Sequence, residues 1–330
     1  MREVRINSNE AGQRFDKYLA KLLQNAPKSF LYKMLRKKNI TLNGRKAAGD
    51  EILSVGDEVR LFFSEETYEK FSGESAPAFE RVSHPLDILY EDEHIALINK
   101  PVGMLSQKGE GPQASLVEYF ITYLLENGSL TEAQLRTFHP SVCNRLDRNT
   151  SGIVAAGKSL AGLQELSALF RERTLHKYYL TIVRGVVRKE NRIRGYLQKD
   201  EETNRVTVTQ TPAEGADPIE TCYLPLADNG KATLLRVELI TGRTHQIRAH
   251  LSSIGHPVIG DGKYGSTAVN ELFRKKYGLK HQLLHAYELE IPELTGTLQH
   301  LSGKKFQAPI PKQFRRILEG EGLGKGDTFL

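Results

Sequence analysis

Cysteine is scarce in this chain: its 330 residues include only Cys143 and Cys222, far apart and neither in a CxxC pair. That excludes a disulfide framework or a thiolate zinc site and leaves both as buried thiols. Long apolar runs are missing too, since nothing approaches the roughly 20 residues that cross a bilayer. The opening MREVRINSNEAGQRFDKYL lacks the apolar segment of a signal peptide. A cytoplasmic protein with no membrane partner is expected. No repeat or low-complexity tract interrupts the chain apart from the Gly-rich GEGLGKGDTFL at its end. At 39% hydrophobic it can bury one large core and has room for a small second domain.

Charge is present but unevenly placed. The net charge is +6, and residues 1–63 alone carry 13 Lys and Arg against 7 Asp and Glu, so the remainder is balanced. An excess confined to one small segment is the footprint of a polyanion-binding module. Within it, QRFDKYLAKLL places Phe15, Leu19, Leu22 and Leu23 on one helical face, and SFLYKMLRKKN does the same with Leu31, Met34 and Leu35. Lys33, Arg36, Lys37 and Lys38 lie off the second stripe. Asn43-Gly44 signals a hairpin, and GDEVRLFF alternates as a strand. This helix, basic helix, hairpin and strand resemble the alpha-L, or S-four-type, RNA-binding domain. The resemblance implies that Lys33, Arg36, Lys37, Lys38 and Arg45 face an RNA backbone.

Residues 64–85, rich in acidic residues, Ser, Gly and Pro, have the composition of a linker. Beyond them LDILYEDEHIALINKP predicts two strands around a polar turn, and helices are predicted at QASLVEYFITYLLENG and SLAGLQELSALFRER. Strands and helices do not alternate regularly, which favours a mixed, largely antiparallel α+β sheet over a doubly wound fold. TSGIVAAGKS matches the GxxxxGK(S/T) spacing of a phosphate loop. The match fails on context, because IVAA between the glycines is apolar and β-branched and NRLDRNTS before them is too polar for a buried strand. An NTPase is therefore not expected.

Two polar clusters remain. NRLDRNTSG sets Asp147 between Arg145 and Arg148, an arrangement that keeps a carboxylate ionised when the guanidinium groups face it. ITGRTHQIRAHLSSIGHPVIGDGKYG gathers Arg243, His245, Gln246, Arg248, His250 and His256. His245 and His250 are five apart instead of four, so no metal site is expected. On a helix, His245 and Arg248 share a face while Ile247 and Leu251 turn inward.

Together the clusters resemble the RluA-type family of pseudouridine synthases. The matching pieces run in order: INKPVGMLS, NRLDRNTSG, KYYLTIVRG, GRTHQIRAHL, GHPVIGDGKYG, LLHAYELEI and FQAPIP, over about 225 residues. An alpha-L domain ahead of such a domain is a usual arrangement in the family. The resemblance implies a pseudouridine synthase fold over 86–315, an alpha-L domain over 1–63, a linker over 64–85 and a flexible tail over 316–330. It implies isomerisation of uridine without metal or organic cofactor, with Asp147 as the catalytic carboxylate and Arg248 as its partner. Tyr179 would stack on the uracil, Tyr178 being off register, and Arg145 would take the space of the extruded nucleotide or grip its phosphate. Arg243 and His245 would contact RNA. The family more often has His where this chain has Asn144 and Gln107, which leaves the catalytic positions intact. The accessory domain resembles that of members acting on large-subunit ribosomal RNA, with transfer RNA as the other substrate and a monomer as the working state. A non-catalytic RNA-binding or ribosome-assembly protein of the same fold is the alternative, which a turnover assay separates.

Overall fold

The structure is a computed structural model, and it describes residues 1–72, 79–200, 202–203 and 205–324. The elements in chain order begin with β1 (Arg2–Arg5), α1 (Phe15–Leu22), α2 (Lys28–Arg36), β2 (Ile40–Leu42), β3 (Arg45–Lys46), β4 (Glu58–Leu61) and α3 (Glu65–Ser72). β1, β4, β2 and β3 form a small antiparallel sheet. Phe15, Leu19 and Leu22 of α1 and Leu31, Met34 and Leu35 of α2 are buried against Ile40, Val59 and Leu61 of that sheet. Both helices thus bury the faces that their spacing predicts. The β2–β3 turn holds Asn43 at φ 51° and Gly44 at φ 72°, the doubly left-handed geometry that an Asn-Gly pair adopts most easily. Asn43 adds its own side chain, donating to Asp57 Oδ1 at 2.8 Å and accepting from the Glu58 N–H at 2.8 Å.

The larger unit continues with β5 (Ile88–Glu91), β6 (Ile95–Lys100), α4 (Leu116–Glu126), β7 (Ser141–Val142), β8 (Ser151–Gly157), α5 (Leu160–Glu172) and β9 (His176–Arg184). Then come β10 (Asn191–Asp200), β11 (Arg205–Thr209), β12 (Asp217–Asp228), β13 (Ala232–Leu239), α6 (Gln246–Ser253), α7 (Thr267–Tyr277), β14 (Leu284–Glu290), β15 (Lys305–Gln307) and α8 (Lys312–Gly320). Among the described residues its eleven strands form one sheet in the order β11-β10-β12-β13-β9-β14-β8-β6-β5, with β15 beside β14 and β7 beside β8. The β8–β14 pair is parallel and the other pairings are antiparallel, the mixed α+β arrangement expected from the irregular element order. Alternation along β6, β8 and β14 divides two cores. Ala96, Ile98, Val154, Ala156, Leu284 and Ala286 join Tyr179, Ile247 and Leu251 on one face. Ile95, Leu97, Ile153, Ala155 and Leu289 pack with Leu166 of α5 and with Leu301 on the other.

Two expected boundaries move. Part of the stretch assigned to a linker, 64–85, is α3, whose Tyr68 is buried in the N-terminal core; acidic and Ser-rich composition hid one apolar face. Residues 73–78 of that stretch lie outside the described residues. The tail assigned to 316–330 starts too early, because α8 runs to Gly320 with Phe314, Ile317 and Leu318 buried at helical spacing, and Leu323 packs beside them. Residues 325–330 lie outside the described residues.

The two glycines of the Gly-x4-Gly-Lys-Ser stretch and IVAA between them lie in strand β8, every residue of which is buried, as IVAA requires. Lys158 beyond it is committed to Glu91 Oε1 at 2.5 Å and the Asp92 carbonyl at 2.8 Å. Gly152 has a different duty. It pairs with Ala286 at φ 109°, and a Cβ there would lie 2.1 Å from the Ala286 carbonyl oxygen. We expect Gly152→Ala to destabilise the chain by about 3 kcal/mol through strain and overpacking. Urea denaturation measures this, and a loss below about 0.5 kcal/mol, the scatter of inert substitutions, would show that β8 and β14 can part there.

Candidate active site

Asp147 lies in the loop between β7 and β8, and the backbone on both sides of it is held from the segment that follows β6. The Ser106 hydroxyl donates to the Leu146 carbonyl at 2.9 Å and accepts from the Leu146 N–H at 3.0 Å. Gly103 N–H donates to the Arg148 carbonyl at 2.8 Å. The fully buried Lys100 adds its ammonium to the same carbonyl at 3.2 Å, and to those of Met104 at 2.9 Å and Pro101 at 3.1 Å. Burial pulls the Lys100 pKa down to about 7, with the Asp147 charge working in the opposite direction. The loop therefore has its neighbouring peptide groups satisfied before any side chain is considered.

The Asp147 carboxylate meets Arg248 from α6. Arg248 Nη1 donates to Asp147 Oδ2 at 2.7 Å, while Nε and Nη2 donate to Asp261 at 2.6 Å and 2.9 Å. Asp261 has a fully buried side chain, and it also accepts from the backbone N–H groups of Lys263 at 2.8 Å and Tyr264 at 3.1 Å. Burial works against both charges, but the paired partners prevail: the Arg248 pKa is raised and that of Asp261 lowered. Asp147 keeps 24% of its side chain open to solvent. A two-point fork thus fixes the guanidinium, and Nη1 reaches the partly open carboxylate.

α6 is aimed by its first residues. His245 precedes it at φ 53°, and buried Gln246 uses both ends of its amide. Its oxygen accepts from Thr241 Oγ1 at 2.8 Å and the Arg243 N–H at 3.1 Å, and its nitrogen donates to the Glu220 carbonyl at 2.9 Å and Thr221 Oγ1 at 3.1 Å. His245 Nδ1 bonds the Tyr264 hydroxyl at 3.0 Å, and its Nε2 lies 4.0 Å from Asp147. Burial lowers its pKa, Asp147 pulling the other way. Tyr179 on β9 is buried in the core facing this loop, and burial plus the Asp147 charge raise its phenol. Tyr178 points elsewhere, with the Arg236 guanidinium 3.7 Å above its ring.

Other expected site residues stand apart. Arg145 is exposed and makes no ion pair among the described residues. Arg243, expected to contact RNA, pairs with Asp217 at 2.9 Å. His250 bonds Thr221, and His256 bonds the Arg184 carbonyl, so the three histidines take separate partners. Lys33, Arg36, Lys37, Lys38 and Arg45 are all exposed and lack ion pairs among the described residues. Asn144 substitutes for strand pairing: its side chain accepts from the Ala155 N–H at 2.8 Å and donates to the Ile153 carbonyl at 3.2 Å. Gln107 is exposed. Residue-level reasoning missed Asp261, Lys100 and Ser106, although the GHPVIGDGKYG and INKPVGMLS pieces contain them.

Removing the Asp261 charge would leave a buried guanidinium with half of its counter-charge. Asp261→Asn is expected to lower stability by about 3 kcal/mol. Urea unfolding at neutral pH checks this, and a change within about 0.5 kcal/mol would mean that Asp147 alone compensates Arg248.

The family model for RNA pseudouridylate synthase matches residues 94–253, a span that includes Asp147, Tyr179 and Arg248. Ribosomal large subunit pseudouridine synthase C of Salmonella typhi is 33% identical over 330 residues, covering 96% of this chain and 95% of that protein. The protein of the same name from Escherichia coli (strain K12) is 32% identical over 329 residues with the same coverage. Among solved structures, Human RNA Pseudouridylate Synthase Domain Containing 4 aligns with TM-score 0.57 at 23% identity, covering 70% of this chain and 91% of that one. That likeness bears on the fold. The sequence relatives extend over nearly the full length of both proteins, and the chain therefore belongs to the RNA pseudouridylate synthase family.

Proposed function

We propose that this pseudouridine synthase acts on large-subunit ribosomal RNA and that Asp147 is its catalytic carboxylate. The observation that carries the chemical part is the Asp147–Arg248 contact at 2.7 Å, with Arg248 immobilised by Asp261 and about a quarter of the Asp147 side chain open to solvent. The substrate rests on the relatives named above, which are similar along 96% of the chain. The unpaired basic surface of the N-terminal unit supports it, as a phosphate-positioning face. Action as a monomer in the cytoplasm goes with this reading, since one chain supplies both the RNA-contacting unit and the reacting groups.

Isomerisation breaks the bond from uracil N1 to ribose C1′, turns the base and joins C5 to C1′. The C5 proton leaves and N1 gains one, so the composition is unchanged. A hydrolytic glycosidase needs a second carboxyl group for its leaving group or its water. Here the departing base is also the returning nucleophile, and one carboxylate suffices. Asp147 serves in ionised form whether it attacks C1′ or takes a ribose proton. Arg248 donates to it at 2.7 Å and fixes its orientation. The raised phenol of Tyr179 stays protonated at neutral pH, so it acts as a stacking wall and donor. Arg145, exposed and unpaired, fills the space that an extruded nucleotide vacates or grips its phosphate.

Asp147→Asn is expected to abolish tritium release from large-subunit ribosomal RNA labelled at uridine C5 while leaving RNA affinity within about twofold. Release above about one per cent of the wild-type rate, some 2.7 kcal/mol of barrier, would remove Asp147 from the central role. Replacing Lys33, Lys37 and Arg45 together by Ala should flatten the slope of log affinity against log salt by about 2. An unchanged slope would place the RNA backbone elsewhere.

A further inference from the structure

A cavity of about 730 Å³ opens at the ends of β6, β8 and β14. Asp147, Tyr179 and Arg248 are absent from its wall, yet the wall is joined to their loop. Lys100 lines it and donates to the Arg148 carbonyl; Ser151 lines it and directly continues the loop; Gln282 lines it and donates to Thr150 Oγ1 at 3.3 Å. The walls come from four separate stretches, 84–87, 99–102, 281–284 and 309–315, together with Ser151. A space assembled from such distant segments and placed beside a reacting loop is a binding site in its geometry.

Its chemistry narrows the occupant. Leu86, Val102, Pro309 and Pro311 give apolar surface, while Leu283, Ile310 and Phe314 behind them are buried in the core, and amides from Asn99, Gln282 and Gln313 add polar groups. Lys312 and Arg315 are exposed, line the cavity and form no ion pair among the described residues. Asp87 is the one carboxylate in the wall, and it already accepts from Asn99 Nδ2 at 2.8 Å. A flat apolar surface, a few amides and two free cations suit a planar heteroaromatic ring carrying a phosphate. A volume of this size exceeds what one nucleotide occupies and falls within the range of small-molecule sites, about 300–1,000 Å³.

We propose that this cavity takes a second unstacked nucleotide of the RNA substrate, distinct from the target uridine, with its base against Leu86, Val102 and Pro309 and its phosphate on Lys312 and Arg315. The proposal rests on the ribosomal RNA reading above. Asp147 chemistry is indifferent to sequence around the uridine, so selection of one uridine needs contacts to its neighbours. A pocket coupled to the Asp147 loop through Thr150 and Arg148 supplies one, and it offsets part of the unstacking that extrusion of the target demands.

The experiment places a photoreactive benzoylphenylalanine at Gln313 in the full chain, irradiates it with unmodified large-subunit ribosomal RNA and maps the adduct. Kinetics of Lys312→Glu with Arg315→Glu, two exposed positions, run beside it. We expect one dominant adduct, at a nucleotide other than the target, undiminished by 5 mM AMP, GMP, CMP or UMP, a concentration chosen well above weak nucleotide affinities. The double variant should raise KM about tenfold, near 1.4 kcal/mol, with kcat little changed. Absence of an RNA adduct with unchanged KM overturns the proposal. So does an adduct abolished by a free nucleotide, which makes the cavity an effector site, or one formed only with a ribosomal protein on large-subunit particles. Wild-type tritium release from the same RNA, measured in parallel, shows separately whether the substrate assignment holds; if transfer RNA supports turnover instead, the same mapping is done on it.

Discussion

One guanidinium shared unequally by two carboxylates organises this protein. Arg248 gives two of its N–H groups to Asp261 and one to Asp147. Taking an arginine and an aspartate out of water costs several kcal/mol per ion, recovered only when geometry is good and the remaining lone pairs are bonded. Asp261 meets that condition through its fork and two backbone N–H groups. Asp147 keeps 24% of its side chain open to solvent and takes a single N–H of Arg248. The fully buried carboxylate holds the cation, and the cation holds the partly open carboxylate. A single isolated Arg–Asp pair could not assign those two duties.

The same economy appears in the backbone. A reacting carboxylate is useful only if its loop does not drift, since an ångström of misplacement costs orders of magnitude in rate. Here Ser106 bonds both peptide groups of Leu146, and Lys100 with Gly103 holds the carbonyl of Arg148, so the peptides before and after Asp147 are pinned by one short segment. That segment departs from β6, which is paired along its length with β8, the strand into which the Asp147 loop runs. The loop and its brace are therefore parts of one sheet, and the site inherits the rigidity of its core.

The N-terminal unit is joined to this framework by polar contacts. Thr137 bonds the buried Glu10 carboxylate, and Arg136 donates to the Ser72 carbonyl at 2.7 Å. Burial raises the Glu10 pKa despite the bond from Thr137 and the nearby Lys21, so the junction is sensitive to how that carboxylate is solvated. Among the described residues its Lys33, Arg36, Lys37, Lys38 and Arg45 have no carboxylate partner, whereas Arg2, Arg14 and Arg60 do, as does the guanidinium inside the larger unit. Those five cations stay exposed, and the Arg248 cation is buried and paired.

Much of this was legible in the chain itself, where local physics decides. The stripes of Phe15, Leu19 and Leu22 and of Leu31, Met34 and Leu35, the Asn43-Gly44 turn, and the strand character of IVAA follow from periodicity and sterics that each segment carries alone. Composition misled at α3 and α8, where a few apolar residues at helical spacing outweigh polar neighbours once a core is available. The motif pieces located Asp147 and Arg248, which lie 101 residues apart in sequence and 2.7 Å apart in space. That Asp261 takes the other side of the guanidinium and that Arg243 pairs with Asp217 were decided only by the tertiary structure. The reason is physical: a residue type fixes what a side chain can bond, but burial and strand register determine which partner is within reach.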